Sequence, residues 1–312
     1  MSRRGWLLFV IMSVLWGVPY LMIKVAVEGV SVPMVVFART AIGGLLLLPL
    51  ALRGGGIRRV LKHWRPVVAF TALEMIGPWF FLTDAERTLP SSLCGLIIAT
   101  VPVIGAIAVR ATGGTERLGR ARWIGLAVGL VGVAILVGPN LSGGDAWPTI
   151  EVLFTALGYA IAPLIVARYL NDVPGLPLTA VSLSLAAIVY APAAIVTWPD
   201  ERPEPQVLWA LAGLGLLCTA VAFVVFFALI REVGPARATV FTYVNPAVAV
   251  LVGVLVLDEP LTALIVVAFG AILLGSVLAT SRDAPAPVAP VAEPLDAPEP
   301  HRGESQGETR VG

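Results

Sequence analysis

Residues 5–26 read GWLLFVIMSVLWGVPYLMIKVA, an apolar run in which Lys24 is the one formal charge. A helix needs about 20 predominantly apolar residues to cross the hydrocarbon core of a bilayer, and this run is long enough. Arg3 and Arg4 ahead of it would also suit a secretory signal peptide. The run, however, continues to Ala26 without a small-residue cleavage site, so it reads as a first helix left uncleaved.

Working outward, the whole chain is of the same material. Of its 312 residues 58% are hydrophobic and 13% are charged, against about 25% charge in a soluble domain. That much apolar surface needs lipid as its solvent. Charge clusters and Gly/Pro-rich turns divide the rest into further apolar runs at 32–52, 65–86, 90–110, 121–138, 148–170, 177–198, 206–230, 236–257 and 260–280. The fold class expected is an all-α membrane protein of ten transmembrane helices. Residues 281–312 differ: six prolines, mixed charge and few large apolar side chains predict a disordered tail.

Lys and Arg mark the cytoplasmic side of a membrane protein. With the N-terminus inside, 17 of the 21 fall in inner segments and only Arg87 and Arg202 in outer loops, while Lys24 and Arg39 lie within helices. The outer loops carry Glu28, Asp84, Glu86, Asp145, Asp200, Glu201, Glu204, Asp258 and Glu259 instead. The bias predicts both termini in the cytoplasm.

The chain also repeats itself. Trp16 matches Tyr159, Glu116 matches Glu259, Leu118 matches Leu261 and Gly132 matches Gly275 at an offset of 143, and Pro33 matches Pro177 and Pro102 matches Pro246 at 144. Residues 5–138 and 148–280 are thus expected to be two five-helix repeats. An odd helix count inverts the second relative to the first, which puts Thr115-Glu116-Arg117-Leu118 inside and Asp258-Glu259-Pro260-Leu261 outside. Inverted repeats suit alternating access.

These residues carry a family resemblance over about 6–280. Leu15-Trp16-Gly17 with Lys24, Phe37-Ala38-Arg39, Glu116-Arg117-Leu118 and Gly125/Gly129/Gly132 form its first half. Ala222-Phe223, Gly234-Pro235-Ala236-Arg237-Ala238, Tyr243-Val244-Asn245-Pro246, and Glu259-Pro260-Leu261 before Gly270 and Gly275 form its second. In order and spacing the chain resembles the EamA family of the drug/metabolite transporter superfamily. The resemblance implies a multi-pass carrier of small metabolites in a bacterial cytoplasmic membrane, often an exporter, and leaves the substrate open.

Charge within lipid costs about 2.5–3.5 kcal/mol on insertion scales, so each intramembrane ionisable residue is a candidate. Glu74 sits near mid-depth of the third helix, with Pro78 four residues on releasing its carbonyl. It suits proton coupling or a substrate amine, or else a structural ion pair with Arg39. Arg39 suits the anionic part of a substrate, or neutralises Glu74. Ser13, Trp16, Tyr20 and Lys24 follow at helical spacing and form one face; Lys24 can equally snorkel, and Tyr20 can belong to an interfacial belt. Glu151 reads as a first-turn carboxylate at a helix N-terminus. Thr239, Thr242, Tyr243 and Pro246 share a face of the ninth helix with Asn245 beside them, and Pro102 is the counterpart break in the fourth. Trp79 and Tyr159 complete the candidate lining. The glycine faces fit packing within one chain or a homodimer.

Net charge +1 gives no reason to expect nucleic acid as a partner. Cys94 and Cys218 lie in apolar runs and His63 and His301 outside them, so no metal site or disulfide is indicated and no cofactor is expected. No Gly-rich phosphate loop ending in Lys-Ser/Thr is present. The expected function is a secondary transporter of small polar metabolites, such as amino acids or related compounds, with coupling to protons or facilitated diffusion equally compatible. A membrane protein without transport and an intramembrane enzyme are the other two classes.

Overall fold

The first helix shows how the chain starts and interrupts its spans. The Ser2 hydroxyl accepts from Gly5 N–H at 2.9 Å and so caps the helix Arg3–Leu15. The chain turns at Trp16 and Gly17, and Pro19, with no N–H to give, opens the continuation Pro19–Ala26. Gly17 is required at this turn: a Cβ there would lie 2.4 Å from Val248.

The computed structural model describes residues 1–111, 119–142, 146–234 and 238–280. The expectations for Thr115, Glu116, Arg117, Leu118, Asp145, Pro235, Ala236, Arg237 and the tail 281–312 lie outside the described residues. Among the described residues every regular element is helical. Nine helices there are long and apolar enough to cross a membrane: α1 Arg3–Ala26, α2 Val32–Gly54, α3 Trp64–Ala85, α4 Ser91–Arg110, α5 Arg120–Gly138, α6 Ala146–Tyr169, α7 Gly175–Val196, α8 Pro205–Val233 and α9 Val240–Leu257. A further apolar helix, α10, runs Ala263–Thr280. Ten full spans were expected; the last yields a shorter apolar run, Ala263–Leu278. A short helix, Ile57–Lys62, lies between α2 and α3, after Gly55 and Gly56 turn the chain at φ 73° and 94°.

Two spans contain π-helical turns, Ala72–Ile76 in α3 and Leu216–Val221 in α8. Their first residues are 144 apart, the offset of Pro102 and Pro246. A π-turn leaves backbone groups without their usual partners, and side chains supply them. The Tyr190 hydroxyl donates to Ile76 O at 2.8 Å, and the Thr219 hydroxyl to Leu214 O at 2.8 Å. Beyond the first turn, Thr155 donates to Pro78 O at 3.1 Å. The sequence pointed to the Glu74 carbonyl as the group that Pro78 releases; the helix instead absorbs Pro78 by widening over the five residues up to Ile76.

The two proline breaks are real interruptions. Ile98 ends one helical piece of α4 and Val101 starts the next, with Pro102 in its first turn. In α9, Thr239–Tyr243 is 3₁₀ and Asn245–Leu257 is α, with Pro246 again in the first turn. The α-helical face expected for Thr242, Tyr243 and Pro246 is therefore not formed, because 3₁₀ winding advances side chains by a larger angle per residue.

Packing pairs the helices in a regular way. α2 lies on α7, α4 on α9, α5 on α10, α3 on α6 and α1 on α8. Advancing each helix by five positions maps the first three pairs onto themselves and exchanges the last two. The α5–α10 contact is backbone on backbone: a Cβ on Gly275 would lie 2.4 Å from Gly129 N, and one on Gly132 2.9 Å from Ile272. These glycines pack within the chain, whereas Gly270 has open space around it. The outer surface is apolar, with Val196 84% exposed and Trp209 76%, as befits side chains that meet lipid.

Candidate functional site

Arg39 organises the interior. It projects from about two turns into α2 and is 8% exposed. Its Nε donates to Thr219 Oγ1 at 3.0 Å, in the π-turn of α8. Its guanidinium carbon lies 3.7 Å from the centroid of the Trp79 ring on α3, a cation–π contact of the kind that strengthens away from water. Trp79 and Tyr159 of α6 belong to one apolar cluster with Val36, Met75 and Leu183. Tyr159 is within electrostatic reach of both Arg39 and Glu74.

Glu74 occupies the centre of the α3 π-turn and is half-buried. The ion pair considered for it with Arg39 is not formed. Among the described residues the ion pairs are Arg4–Glu232 at 3.9 Å and Arg87–Asp84 at 3.3 Å. Arg39 spends its directional bond on a neutral hydroxyl and its flat face on an indole, which leaves it without a carboxylate partner. α2, α3, α6 and α8 thus bring together Arg39, Trp79, Tyr159 and Glu74, and add Thr219. Nothing in the run Leu216-Leu217-Cys218-Thr219 marked Thr219 beforehand; its one signal is a hydroxyl inside an apolar helix.

The other sequence candidates have partners elsewhere. Trp16 packs edge-on against Phe223 and Phe241 and tilted against Phe226, at centroid distances of 5.4, 5.3 and 5.2 Å. Phe223 in turn packs on the cluster that holds Trp79 and Tyr159. The face expected from Ser13 to Lys24 is interrupted by the break at Trp16 and Gly17. Tyr20 is buried in the largest cluster. Asn245, its amide oriented as donor, gives hydrogen bonds to Phe241 O at 3.1 Å and Ser13 O at 3.2 Å. The Tyr243 hydroxyl donates to Ser276 O at 3.4 Å, and Thr242 is exposed. Glu151 is 2% exposed and lies against Asp84 and Trp147. Since α6 begins at Ala146, Glu151 is in its second turn, not its first.

Lys24 joins a second polar region at one end of the bundle. Its ammonium donates to Glu86 O at 2.7 Å and to Leu89 O at 3.0 Å, across the turn between α3 and α4. Glu259 reaches the same turn from between α9 and α10. Its carboxylate accepts from Ser91 N–H at 2.6 Å and Ser92 N–H at 2.9 Å, capping α4. Cys94 and Cys218 are buried free thiols, and among the described residues no three His, Cys, Asp or Glu side chains gather as metal ligands.

A family model described as the EamA-like transporter family matches residues 3–138 and again 147–281. The chain belongs to that family. Within it, the chain is 29% identical over 286 residues to YedA of Escherichia coli K12, named an uncharacterized inner membrane transporter; the match covers 90% of this chain and 92% of YedA. It is 26% identical over 271 residues to a probable terminal-alkyne amino-acid exporter of Streptantibioticus cattleyicolor, covering 83% and 87%. A crystal structure with 21% identity superposes with a TM-score of 0.64, over 89% of this chain and 98% of that one, a likeness of fold. The EamA chain is accordingly a membrane transporter with multiple apolar helices.

Proposed function

We propose that this EamA transporter moves a small polar metabolite, an amino acid or a related compound, outward across a bacterial cytoplasmic membrane by alternating access. The observation that carries this reading is Arg39: a buried guanidinium seated on Trp79, tied to Thr219, and in no ion pair among the described residues. A substrate carboxylate is the partner its planar fork suits. Glu74, held in the π-turn and within reach of Tyr159, takes the substrate's ammonium group or a coupling proton. The relative named as an amino-acid exporter is in keeping with such a zwitterion.

In the same reading α1–α5 and α6–α10 are two inverted repeats, α10 spans the membrane as the tenth helix, and both termini are cytoplasmic. Support comes from the two family matches, the Lys/Arg bias, and a packing scheme that maps onto itself when the halves are exchanged. The site then lies where the halves meet: Arg39 and Glu74 come from the first, Tyr159 and Thr219 from the second.

Transport by purified protein in vesicles tests the proposal. A panel of amino acids and related metabolites, offered in both directions with and without a pH gradient, should include one that Arg39→Gln fails to move. If no member of the panel moves in either direction, the carrier reading is wrong. If Glu74→Gln leaves both transport and its pH dependence unchanged, the role given to Glu74 is wrong.

A further inference from the structure

Glu86 lies just past the Trp64–Ala85 span and yet is 0% exposed. Neither of its carboxylate oxygens has a hydrogen-bond partner. A carboxylate stripped of both water and donors is costly to keep charged, while the neutral acid is far cheaper to bury. The groups that face it come from five elements. Lys24 and Tyr20 lie on α1, Arg39 on α2, Cys94 on α4, Tyr159 on α6 and Glu259 between α9 and α10. Burial pushes the Glu86 carboxyl up; the Lys24 and Arg39 cations oppose this, and the Glu259 carboxylate adds to it.

Lys24 does not act as a salt-bridge partner. Its hydrogen bonds go to the backbone carbonyls of Glu86 and Leu89, and the Glu259 carboxylate is spent on the Ser91 and Ser92 N–H groups. The charges nearest Glu86 are thus occupied with holding one turn. Beside them is a cavity of about 250 Å³ lined by Lys24, Glu28, Thr88, Pro90, Leu257 and Glu259, which opens to the surface.

We propose that Glu86 is a proton-binding site, built with Lys24 and Glu259 at the end of the bundle where the α3–α4 turn meets the segment joining α9 and α10. Glu86 does not itself line the cavity, so the proton passes between cavity water and a carboxylate oxygen when the α3–α4 turn shifts. Protonated Glu86 leaves Lys24 on the two carbonyls. Ionised Glu86 offers the ammonium a stronger acceptor and draws it off the turn. The site is separate from Glu74, and proton binding there does not depend on what the transporter carries.

Infrared difference spectra of the full chain in lipid vesicles, taken between acidic and alkaline pH, test this directly. A carboxylic-acid C=O band should titrate away as pH rises, be lost in Glu86→Gln and persist in Glu74→Gln. Lys24→Met should move the midpoint of that band up by about one pH unit, and Glu259→Gln should move it down by a similar amount. A band that survives Glu86→Gln, or a midpoint indifferent to both neighbours, overturns the proposal. Should Glu86→Gln fail to fold, Glu86→Asp decides: the band must move in frequency, and an unmoved band counts against Glu86. Loss of all transport activity would leave this band in place, so the two readings fail separately.

Discussion

Arg39 Nε donates to Thr219 Oγ1 at 3.0 Å, and the same hydroxyl donates to Leu214 O at 2.8 Å. One neutral side chain thereby satisfies a buried cation from α2 and a carbonyl that the π-turn of α8 leaves over. Removing the hydroxyl orphans both. Thr219→Val, close in shape, should lower stability by about 1–3 kcal/mol, the usual cost of a buried polar group without a partner. Thr219→Ser should recover most of it. Thermal unfolding of the detergent-solubilised protein measures both.

Arg39→Lys keeps the charge and loses the geometry. An ammonium cannot lie flat at 3.7 Å from the Trp79 centroid, nor present a fork to a carboxylate. A buried cation–π contact contributes about 1–2 kcal/mol, and 1.4 kcal/mol is about tenfold. Initial transport rates in vesicles should fall roughly tenfold, with the Trp79→Leu variant falling in the same direction.

The α5–α10 seam gives a paired test. A methyl on Gly275 would meet Gly129 N at 2.4 Å and Gly125 O at 2.7 Å, both backbone atoms that cannot rotate away. Gly275→Ala should destabilise by about 1–3 kcal/mol. Gly270→Ala, with nothing within 4 Å of its added carbon, should be neutral or raise stability by up to about 1 kcal/mol through helix propensity. Comparing their melting temperatures checks both.

Glu259 caps a helix to which it is not joined in sequence. Glu259→Ala frees the Ser91 and Ser92 N–H groups and should cost about 0.5–2 kcal/mol, as lost caps do. Hydrogen exchange should quicken at those two amides and in the first turn of α4, while α5 and α10 exchange as before.

Much of this was legible in the residues. Apolar runs located nine spans to within a few residues at most ends, since burial in lipid leaves no other use for them. Pro102 and Pro246 marked true helix breaks, and Gly129 and Gly275 a true close approach. What the sequence concealed was geometry among neutral groups. Leu216-Leu217-Cys218-Thr219 is apolar all round, so no period betrays a π-turn, and a lone threonine does not announce the arginine it will hold. Arg39 and Glu74 suggested a pair only because they are opposite charges in lipid. Glu86 read as part of an acidic outer loop, although Lys24 at the end of the neighbouring helix was a clue that something there was buried.

The two π-turns give α3 and α8 the same local slack. Each accommodates its extra width at the same point, Ala72 and Leu216, and Pro102 and Pro246 downstream still correspond. A π-turn holds about one residue more than the α-turn it replaces, so deleting a residue there would close the turn to α and leave the helix beyond it facing nearly as before. Single-residue length changes are therefore absorbed at Ala72–Ile76 and Leu216–Val221 better than elsewhere in α3 and α8.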